Sequence, residues 1–227
     1  MGNRPEKRSA WQRLFHRTEI AAMAHRDAAG GMWDELGTLQ LSFMKEKGLK
    51  PSDYLLDVGC GPLRGGVQFV GYLDDGHYFG VDINASLIEA GKYELKEAGL
   101  LGKNAHLLVD GRFNVSQFGR RFDYVIAQSV LTHLPVSQIV RCLTETRKVL
   151  EPHGVFFATY FEAPSAAYTR PITHTPGGVV THYDADPYHY SFEELAWMAR
   201  FAQLSVTLIG DWGHPRDQRM AAFSCPR

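Results

Sequence analysis

The sequence predicts an α/β fold built on a mostly parallel β-sheet with helices on both faces. Three observations predict it. Short apolar runs alternate with helical stretches between residues 54 and 160, several of these runs end in an acidic or polar residue, and a glycine-rich turn follows the first run. Strands that are apolar throughout are typical of parallel sheets, because such sheets are buried on both faces.

The composition is that of one soluble globular domain. The chain has 227 residues, of which 44% are hydrophobic and 22% charged, enough for a sizeable core. The formal net charge of −1 gives no field that would recruit nucleic acid or an anionic membrane, so we expect neither as a partner. No apolar run approaches the roughly 18 residues of a membrane span, and no signal-peptide core is present.

The cysteines indicate a reducing compartment. Cys60, Cys142 and Cys225 are widely spaced and form no C-x-x-C pair, which argues against a disulfide framework or a zinc site. We therefore expect a cytoplasmic protein, either a monomer or a homodimer.

Two regions are predicted along the chain. Residues 1–31 form an N-terminal helical arm, whose helix over Ala10–Ala29 ends at Gly30 and Gly31. Residues 32–227 form the main domain, which begins with a helix from Met32 to Lys47. The stretch 162–190 is rich in proline, histidine and tyrosine without a clear period, and a connection of this length predicts a lid or substrate insert.

Seven strands and four further helices are predicted in the main domain. Ser191 and Glu194 form a capping box that starts the last helix, which ends near Ala202. The other helices cover Gly65–Tyr72, Ala85–Ala98 and Val136–Leu150. The strands are Tyr54–Val58, His77–Asp82, Ala105–Val109, Phe122–Ala127, Val155–Tyr160, Ser205–Ile209 and Met220–Ser224.

The ends of the first four strands predict a ligand site. Parallel sheets bind ligands at the carboxyl ends of their strands, where Asp57, Asp82, Asp110 and Gln128 would meet. The turn from Gly59 to Gly66 can approach a ligand closely, because glycine adopts positive φ. The predicted ligand is a nucleotide-like cofactor, although a lone glycine turn is also compatible with a tight strand–helix junction.

A dinucleotide site is one alternative. Gly59-Cys60-Gly61 starts a G-x-G-x-x-G pattern, but Arg64 stands where the third glycine belongs, with Gly65 next to it. A nicotinamide-dependent oxidoreductase would use this turn together with Asp82, and Arg64 counts against it.

The stretch L-L-D-V-G-C-G, residues 55–61, closely resembles the first motif of the class I S-adenosylmethionine-dependent methyltransferases. The resemblance runs in order from about Leu36 to Phe161, and the last two strands fit the antiparallel hairpin that ends the sheet of that superfamily. It implies a Rossmann-like, seven-stranded sheet with an antiparallel last strand. It also implies S-adenosyl-L-methionine as the cofactor.

The resemblance assigns roles along this cofactor. The loop would wrap the methionine part, the carboxylate of Asp82 would accept the ribose hydroxyls, and Ile83 would pack on the adenine. The segment F-D-Y-V-I-A-Q-S-V-L-T-H-L-P resembles the fourth motif, whose loop borders the transferable methyl group. The implied cofactor-binding residues are Asp57, Gly59, Cys60, Gly61, Arg64, Asp82, Ile83, Asp110, Gly111, Gln128 and Ser129.

Arg64 has two interpretations. Its guanidinium could form a bidentate pair with the cofactor carboxylate, or it could pair with an acid of the preceding helix such as Glu35. The combination of L-G-T-L-Q-L-S-F-M with G-P-L-R-G-G looks like a subgroup of bacterial small-molecule methyltransferases. A small-molecule acceptor is therefore expected.

His133 is the candidate catalytic residue. Methyl transfer to a hydroxyl needs a base, and imidazole is suited to that task, although many relatives carry histidine here as a packing residue. We prefer O-methylation of a sugar or natural-product-like molecule, and keep N-methylation and a non-catalytic cofactor-binding relative as alternatives. The Asn/Asp-Pro-Pro-aromatic tetrad of base-methylating enzymes is absent after Ala127.

The insert is expected to form a polar, aromatic substrate wall. Its histidines His174, His182 and His189 lie on irregular sequence without ligand spacing, so no metal site is predicted. Its tyrosines, including Tyr188 and Tyr190, would offer stacking faces for a sugar or a ring.

Overall fold

The computed structural model describes residues 25–28 and 30–226. The helix expected over Ala10–Ala29 lies outside this part of the chain except for its last turn, helix α1 (His25–Ala28). The division into an arm of residues 1–31 and a domain of residues 32–227 stays a prediction. In the described ranges, no helix is both long and apolar enough to cross a membrane.

The main domain alternates strands and helices as the sequence predicts. The helices after α1 are α2 (Trp33–Glu46), α3 (Gly66–Tyr72), α4 (Ala85–Glu97), α5 (Val136–Val149) and α6 (Phe192–Phe201). The strands are β1 (Leu55–Val58), β2 (Tyr78–Asp82), β3 (His106–Val109), β4 (Phe122–Ala127), β5 (Leu150–Glu162), β6 (Ile172–His174), β7 (Val179–Thr181), β8 (His189–Tyr190), β9 (Ser205–Gly210) and β10 (Gln218–Ser224).

The central sheet has the strand order β3-β2-β1-β4-β5-β10-β9. Strands β1 to β5 pair in parallel, and β10 runs antiparallel to both β5 and β9. The Rossmann-like α/β fold is therefore confirmed, with the seven predicted strands in this order and an eighth strand, β8, that pairs with β5. Because β1 lies between β2 and β4, the crevice at the carboxyl edge opens beside β1, where the strand order reverses.

Each face of the sheet carries its own apolar core. Alternate residues of β1 point to opposite faces, so Leu56 and Val58 pack in one core and Leu55 in the other. All four positions of β1 are buried, which explains why its sequence shows no polar alternation.

The insert is more regular than the sequence predicts. Strands β6 and β7 form a separate antiparallel hairpin, and β8 adds to the central sheet in parallel beside β5, with His189 opposite Phe161. Strand β5 accordingly extends to Glu162, beyond the predicted end at Tyr160. Such short strands form through pairing with a neighbour, and two or three residues leave no readable period in a sequence.

The segment that precedes α2 docks on α4 through a buried carboxylate. Glu94 accepts hydrogen bonds from Arg26, with Nη2 to Oε2 at 2.6 Å, and lies 2.5 Å from Nε2 of His25. The hydrogen bond from Arg26 lowers the pKa of Glu94. This contact brings Gly30 and Gly31 to the edge of the crevice, where Arg216 and Arg64 donate to their carbonyl oxygens.

Candidate cofactor and active site

Two adjoining cavities lie at the carboxyl edge of the sheet. The larger one, of about 260 Å³, extends over the ends of β1, β2 and β3 and under the loop that follows β4. The smaller one, of about 40 Å³, lies against the turn after β1. Gly59, Leu87 and Ser129 line both, so the two form one elongated site. The larger cavity contains Asp82, Ile83, Asp110, Gly111 and His133, and the smaller one Asp57, Cys60, Gly61, Arg64 and Gln128.

The glycine turn is shaped by bonds to the neighbouring strand. The amides of Gly59 and Cys60 both donate to the carbonyl of Val81, at 2.8 and 3.1 Å. Gly59 has a φ of 69° and Gly61 a φ of 54°, a region that side chains other than glycine rarely adopt. The Cys60 thiol is buried, and burial raises its pKa well above the ordinary value. The sulfur packs on β2, where a Cβ on Gly80 would approach Sγ of Cys60 to 2.9 Å.

The two glycines offer a matched test of this turn. A Cβ on Gly59 would lie 2.4 Å from Cγ2 of Val130, whereas a Cβ on Gly61 would meet nothing within 4 Å. We expect Gly61→Ala to cost about 1–2 kcal/mol of unfolding free energy for its backbone conformation alone. Gly59→Ala should cost a further ~1–3 kcal/mol for the overlap with Val130. Urea unfolding measures both, and equal costs would contradict the close approach of Val130.

Asp82 ties the turn to the end of β2. Its Oδ2 accepts from the amide of Gly61 at 2.9 Å, and its Oδ1 accepts from the amide of Asn84 at 2.8 Å. Burial raises the pKa of Asp82 to about 6, against the effect of these backbone hydrogen bonds. Asn84, which the sequence analysis missed, also caps α4 by accepting from the amide of Ser86. Its position directly before a helical run is the signal that indicates this cap.

Asp57 is the buried acid of the smaller cavity. Its Oδ2 accepts from the hydroxyl of Tyr78 at 2.8 Å. Burial raises its pKa to about 7, with the Tyr78 hydrogen bond opposing. The structure thus keeps a poorly solvated carboxylate at this end of the site, which is an arrangement suited to a cationic ligand group.

A pH-dependent gain in stability is expected for Asp57→Asn. The pKa of Asp57 is about 7 in the folded protein, above its value in an unfolded chain. The native protein therefore holds the extra proton between about pH 4 and pH 7, and its stability falls as pH rises through that window. An asparagine at this position cannot ionise, so this loss of stability at high pH does not occur. Its side-chain oxygen can still accept the hydrogen bond from Tyr78. We expect Asp57→Asn to stabilise the protein by roughly 1–3 kcal/mol at pH 8 and by almost nothing at pH 4.

Thermal unfolding of wild type and Asp57→Asn at both pH values measures this difference. Asp53→Asn is the control, since Asp53 lies in the exposed turn before β1 and accepts from the amide of Lys50. A stability gain that is equal at both pH values would contradict a buried charge at Asp57.

Arg64 is buried at the outer end of the smaller cavity. Its Nη1 donates to the carbonyl of Gly31 at 3.0 Å and its Nη2 to Oε1 of Gln128 at 2.8 Å. Burial, with the nearby charge of Arg216, lowers its pKa to about 10. Glu35 is exposed, and the described residues show no hydrogen bond or ion pair between it and Arg64. The pairing of Arg64 with the cofactor carboxylate or with an acid stays a prediction.

The loop after β4 rests on a polar cluster. The amide of Ser129 donates to Oγ1 of Thr159 at 2.7 Å, and the Ser129 hydroxyl donates to Oε1 of Gln218 at 3.0 Å. Ser129 has a φ of 58°, so its unusual backbone is held by these bonds. Thr159 and Gln218 were missed by the sequence analysis, and no local pattern marks them, because they belong to strands far along the chain.

His214 closes the same end of the site from the loop between β9 and β10. It is buried, and its Nε2 lies 3.1 Å from Nε2 of Gln128. Burial, together with the charges of Arg64 and Arg216, lowers the pKa of His214 to about 3, so the ring is neutral at physiological pH.

The far end of the larger cavity is apolar on one side and acidic on the other. Ile83 is 50% exposed and lies against Gly111, where a Cβ would approach its Cδ1 to 2.8 Å. Asp110 accepts from the amides of Arg112 and Asn114 at 2.7 and 2.9 Å. Burial by itself would raise the pKa of Asp110, but the hydrogen bonds from Asn114 and Arg112 hold it below its ordinary value. Asp110 is therefore a hydrogen-bond acceptor at this end.

The insert forms part of the site differently from the predicted wall. Tyr190 is 2% exposed and donates to the carbonyl of Leu134, so it belongs to the core and offers no stacking face. His174 and His189 are also buried, where both contact the hydroxyl of Thr181. The prediction of a stacking face at Tyr190 was wrong, because a polar composition does not reveal which residues pair inside the insert. His133 lines the larger cavity, and its Nδ1 contacts Oδ1 of Asp186 from the insert.

Fold and site together define a class of protein. A parallel sheet with a glycine turn after β1 and an acid at the end of β2 is the arrangement of Rossmann-like domains that bind a nucleoside-containing cofactor. Residues 55–154 match a sequence family described as a methyltransferase domain. This stretch, which includes the glycine turn and Asp82, is therefore similar to the methyltransferase domains of that family.

Individual comparisons agree with this assignment. A protein named as a probable methyltransferase from Aspergillus luteorubrus is 32% identical over 112 residues, which cover 47% of this chain and 39% of that protein. The botryococcene C-methyltransferase of Botryococcus braunii is 35% identical over 113 residues, 49% of this chain and 28% of that enzyme. These matches span less than half the length of the curated relatives.

The fold is shared with solved structures. An S-adenosylmethionine-dependent methyltransferase from Clostridium acetobutylicum superimposes with a TM-score of 0.66 at 11% identity, covering 90% of this chain and 97% of that one.

Proposed function

We propose that this protein transfers a methyl group from S-adenosyl-L-methionine to a hydroxyl group of a small molecule. One observation carries the proposal: the two cavities meet at the glycine turn, with the carboxylate of Asp82 beside that turn. One end of the site is apolar and acidic, which suits a nucleoside. The other end is strongly charged, which suits an amino acid. S-adenosyl-L-methionine has a nucleoside at one end and an amino acid at the other.

The residues of the larger cavity suit an adenosine. Asp82 has two carboxylate oxygens that can accept from vicinal hydroxyls, in addition to the backbone amides that they already accept. Ile83 gives an exposed apolar face for a purine ring, and Asp110 an acceptor for its amino group. Gly111 permits the close contact with Ile83 that shapes this face.

The residues of the smaller cavity suit an amino acid. Asp57 supplies a buried carboxylate for the ammonium group, and Arg64 supplies a guanidinium for the carboxylate. The backbone at Gly59, Cys60 and Gly61 allows the close approach between these two charges. Gln128 and Ser129 complete the wall from the loop after β4. This cavity is narrow, so we expect the Arg64 contact with Gly31 to open when the carboxylate binds.

S-adenosylmethionine, when bound, supplies a sulfonium methyl that is already activated for displacement. The task of the chain is then to align an acceptor in line with the methyl group, and to take up a proton if the acceptor is a hydroxyl. His133 is the group that we propose as the base, since its ring lies in the wall of the larger cavity. An amine acceptor would depend on alignment alone, and this difference separates O-methylation from N-methylation.

Calorimetric titration tests the cofactor assignment. We expect binding heat with S-adenosylmethionine and none with NADH. Heat with NADH alone would support the oxidoreductase alternative, and no heat with either would overturn the proposal.

The acceptor is found by incubating metabolite extracts with cofactor carrying a labelled methyl group and identifying the labelled product. A product labelled on nitrogen or carbon would overturn the O-methylation proposal. We place the activity in the cytoplasm, because all three cysteines are free thiols.

A further inference from the structure

The insert and the loop after β4 are joined at three successive positions. The amide of Tyr188 donates to the carbonyl of Thr132 at 2.7 Å. The hydroxyl of Tyr190 donates to the carbonyl of Leu134 at 2.6 Å. His133 lies between Thr132 and Leu134, and its ring contacts Asp186. Residues 186–190 therefore run beside residues 132–134, and the position of His133 depends on the insert.

The contact between Asp186 and His133 is shielded from water. The His133 side chain is 8% exposed and that of Asp186 is 6% exposed. The end of the insert is anchored to the central sheet, because β8 pairs with β5 at Phe161 and His189. Asp186 is thus held by neighbours with regular backbone pairing, and its carboxylate has a defined direction.

The carboxylate selects the tautomer of the ring. An ionised carboxylate only accepts hydrogen bonds, so the ring nitrogen that faces it, Nδ1, must carry a proton. In the neutral imidazole, the lone pair then lies on Nε2. We propose that Asp186 is a positioning residue, which holds His133 in the tautomer with a basic Nε2.

This inference rests on the proposed O-methyltransferase function. The acceptor hydroxyl loses its proton to Nε2 of His133 while its oxygen forms the bond to the methyl group and the carbon–sulfur bond breaks. The resulting imidazolium is stabilised by the ionised Asp186, and the proton then leaves to water. Across the reaction, one alcohol and one sulfonium become one ether, one neutral sulfide and one proton.

The tautomer can be measured without knowing the acceptor. In protein labelled with ¹⁵N in the histidine rings, the nitrogen shifts show which nitrogen carries the proton. His133→Gln identifies the resonances of this ring by their loss. In the neutral ring of the wild type, we expect the proton on Nδ1. In Asp186→Ala, we expect the proton to move mainly to Nε2, the tautomer that an isolated imidazole prefers.

Asp184→Ala is the matched control, because Asp184 is exposed in the same loop and should leave the tautomer unchanged. Circular dichroism and calorimetry with S-adenosylmethionine show whether each variant still folds and binds the cofactor. A wild-type ring protonated on Nε2, or a tautomer unchanged in folded Asp186→Ala, would overturn the inference. Absence of cofactor binding by the wild type would instead overturn the proposed function.

A kinetic readout follows once the acceptor is identified. Asp186→Ala should lower kcat by roughly 10²-fold or more, as removal of an orienting carboxylate does in hydrolytic triads. The KM for the cofactor should stay within about twofold, because Asp186 contacts the base and not the glycine turn. An unchanged kcat would contradict a positioning role.

Discussion

Replacement of Asp82 by alanine is expected to abolish measurable binding of S-adenosylmethionine. Two charge-assisted hydrogen bonds to ribose hydroxyls are worth about 1.5–3 kcal/mol each, which corresponds to a rise in Kd of ~10²–10⁴-fold. The alanine variant also leaves the amides of Gly61 and Asn84 without their acceptor, so the glycine turn loses its tie to β2. Both effects weaken cofactor binding.

Two variants sharpen the comparison. Asp82→Asn keeps one acceptor oxygen without the charge, and we expect an intermediate loss of roughly tenfold. Glu89→Ala is the control on the following helix, because Glu89 is exposed and pairs only with Lys92 in the described part of the chain. Isothermal calorimetry gives the Kd of each, with circular dichroism as the check on folding. Tight binding by folded Asp82→Ala would refute the ribose role.

Replacement of His133 by alanine is expected to separate binding from chemistry. General-base catalysis typically contributes 10²–10⁴-fold, so kcat on a hydroxyl acceptor should fall by about that factor. The Kd for S-adenosylmethionine should change by less than about threefold, because the proposed polar contacts with the cofactor are made by Asp57, Arg64, Asp82 and Asp110 and not by His133. Rapid-quench transfer of a labelled methyl group measures the chemical step.

The pH profile distinguishes a base from a packing residue. If His133 is the base, the pH dependence that the wild-type rate shows should be lost from the His133→Ala rate. Val136→Ala serves as the control, because Val136 is exposed at the start of α5 and lines a separate surface groove. If His133→Ala turned over the true acceptor at the wild-type rate, the base would have to be another group.

Most of the strand-end site was accessible from local sequence. Each of its features can be recognised within a few residues of sequence. These features are the apolar run of β1, the glycines after it and the acids that end β2 and β3. Parallel strands then bring these ends together by geometry that applies to every such sheet. For this reason the positions of Asp57, Asp82, Asp110 and Gln128 around one crevice could be predicted.

The polar partners of those residues could not be predicted. Thr159 and Gln218 support Ser129 from strands that the sequence places 30 and 89 residues away. The same applies to Tyr190, which was predicted to offer a stacking face but whose hydroxyl donates to the carbonyl of Leu134 inside the core. Hydrogen bonds between distant segments form only when the whole sheet has paired. A local sequence pattern therefore cannot predict them.

By itself, the sequence determined the fold class, the cofactor family and the strand ends that form the site, because these follow from short-range periodicity and from residues adjacent to a strand. Only the tertiary structure decided how the insert meets that site. The contact of Asp186 with His133 joins residues 53 positions apart, and it exists because β8 pairs with β5 and lays residues 186–190 beside the loop after β4. The orientation of the proposed base is therefore a property of the assembled sheet.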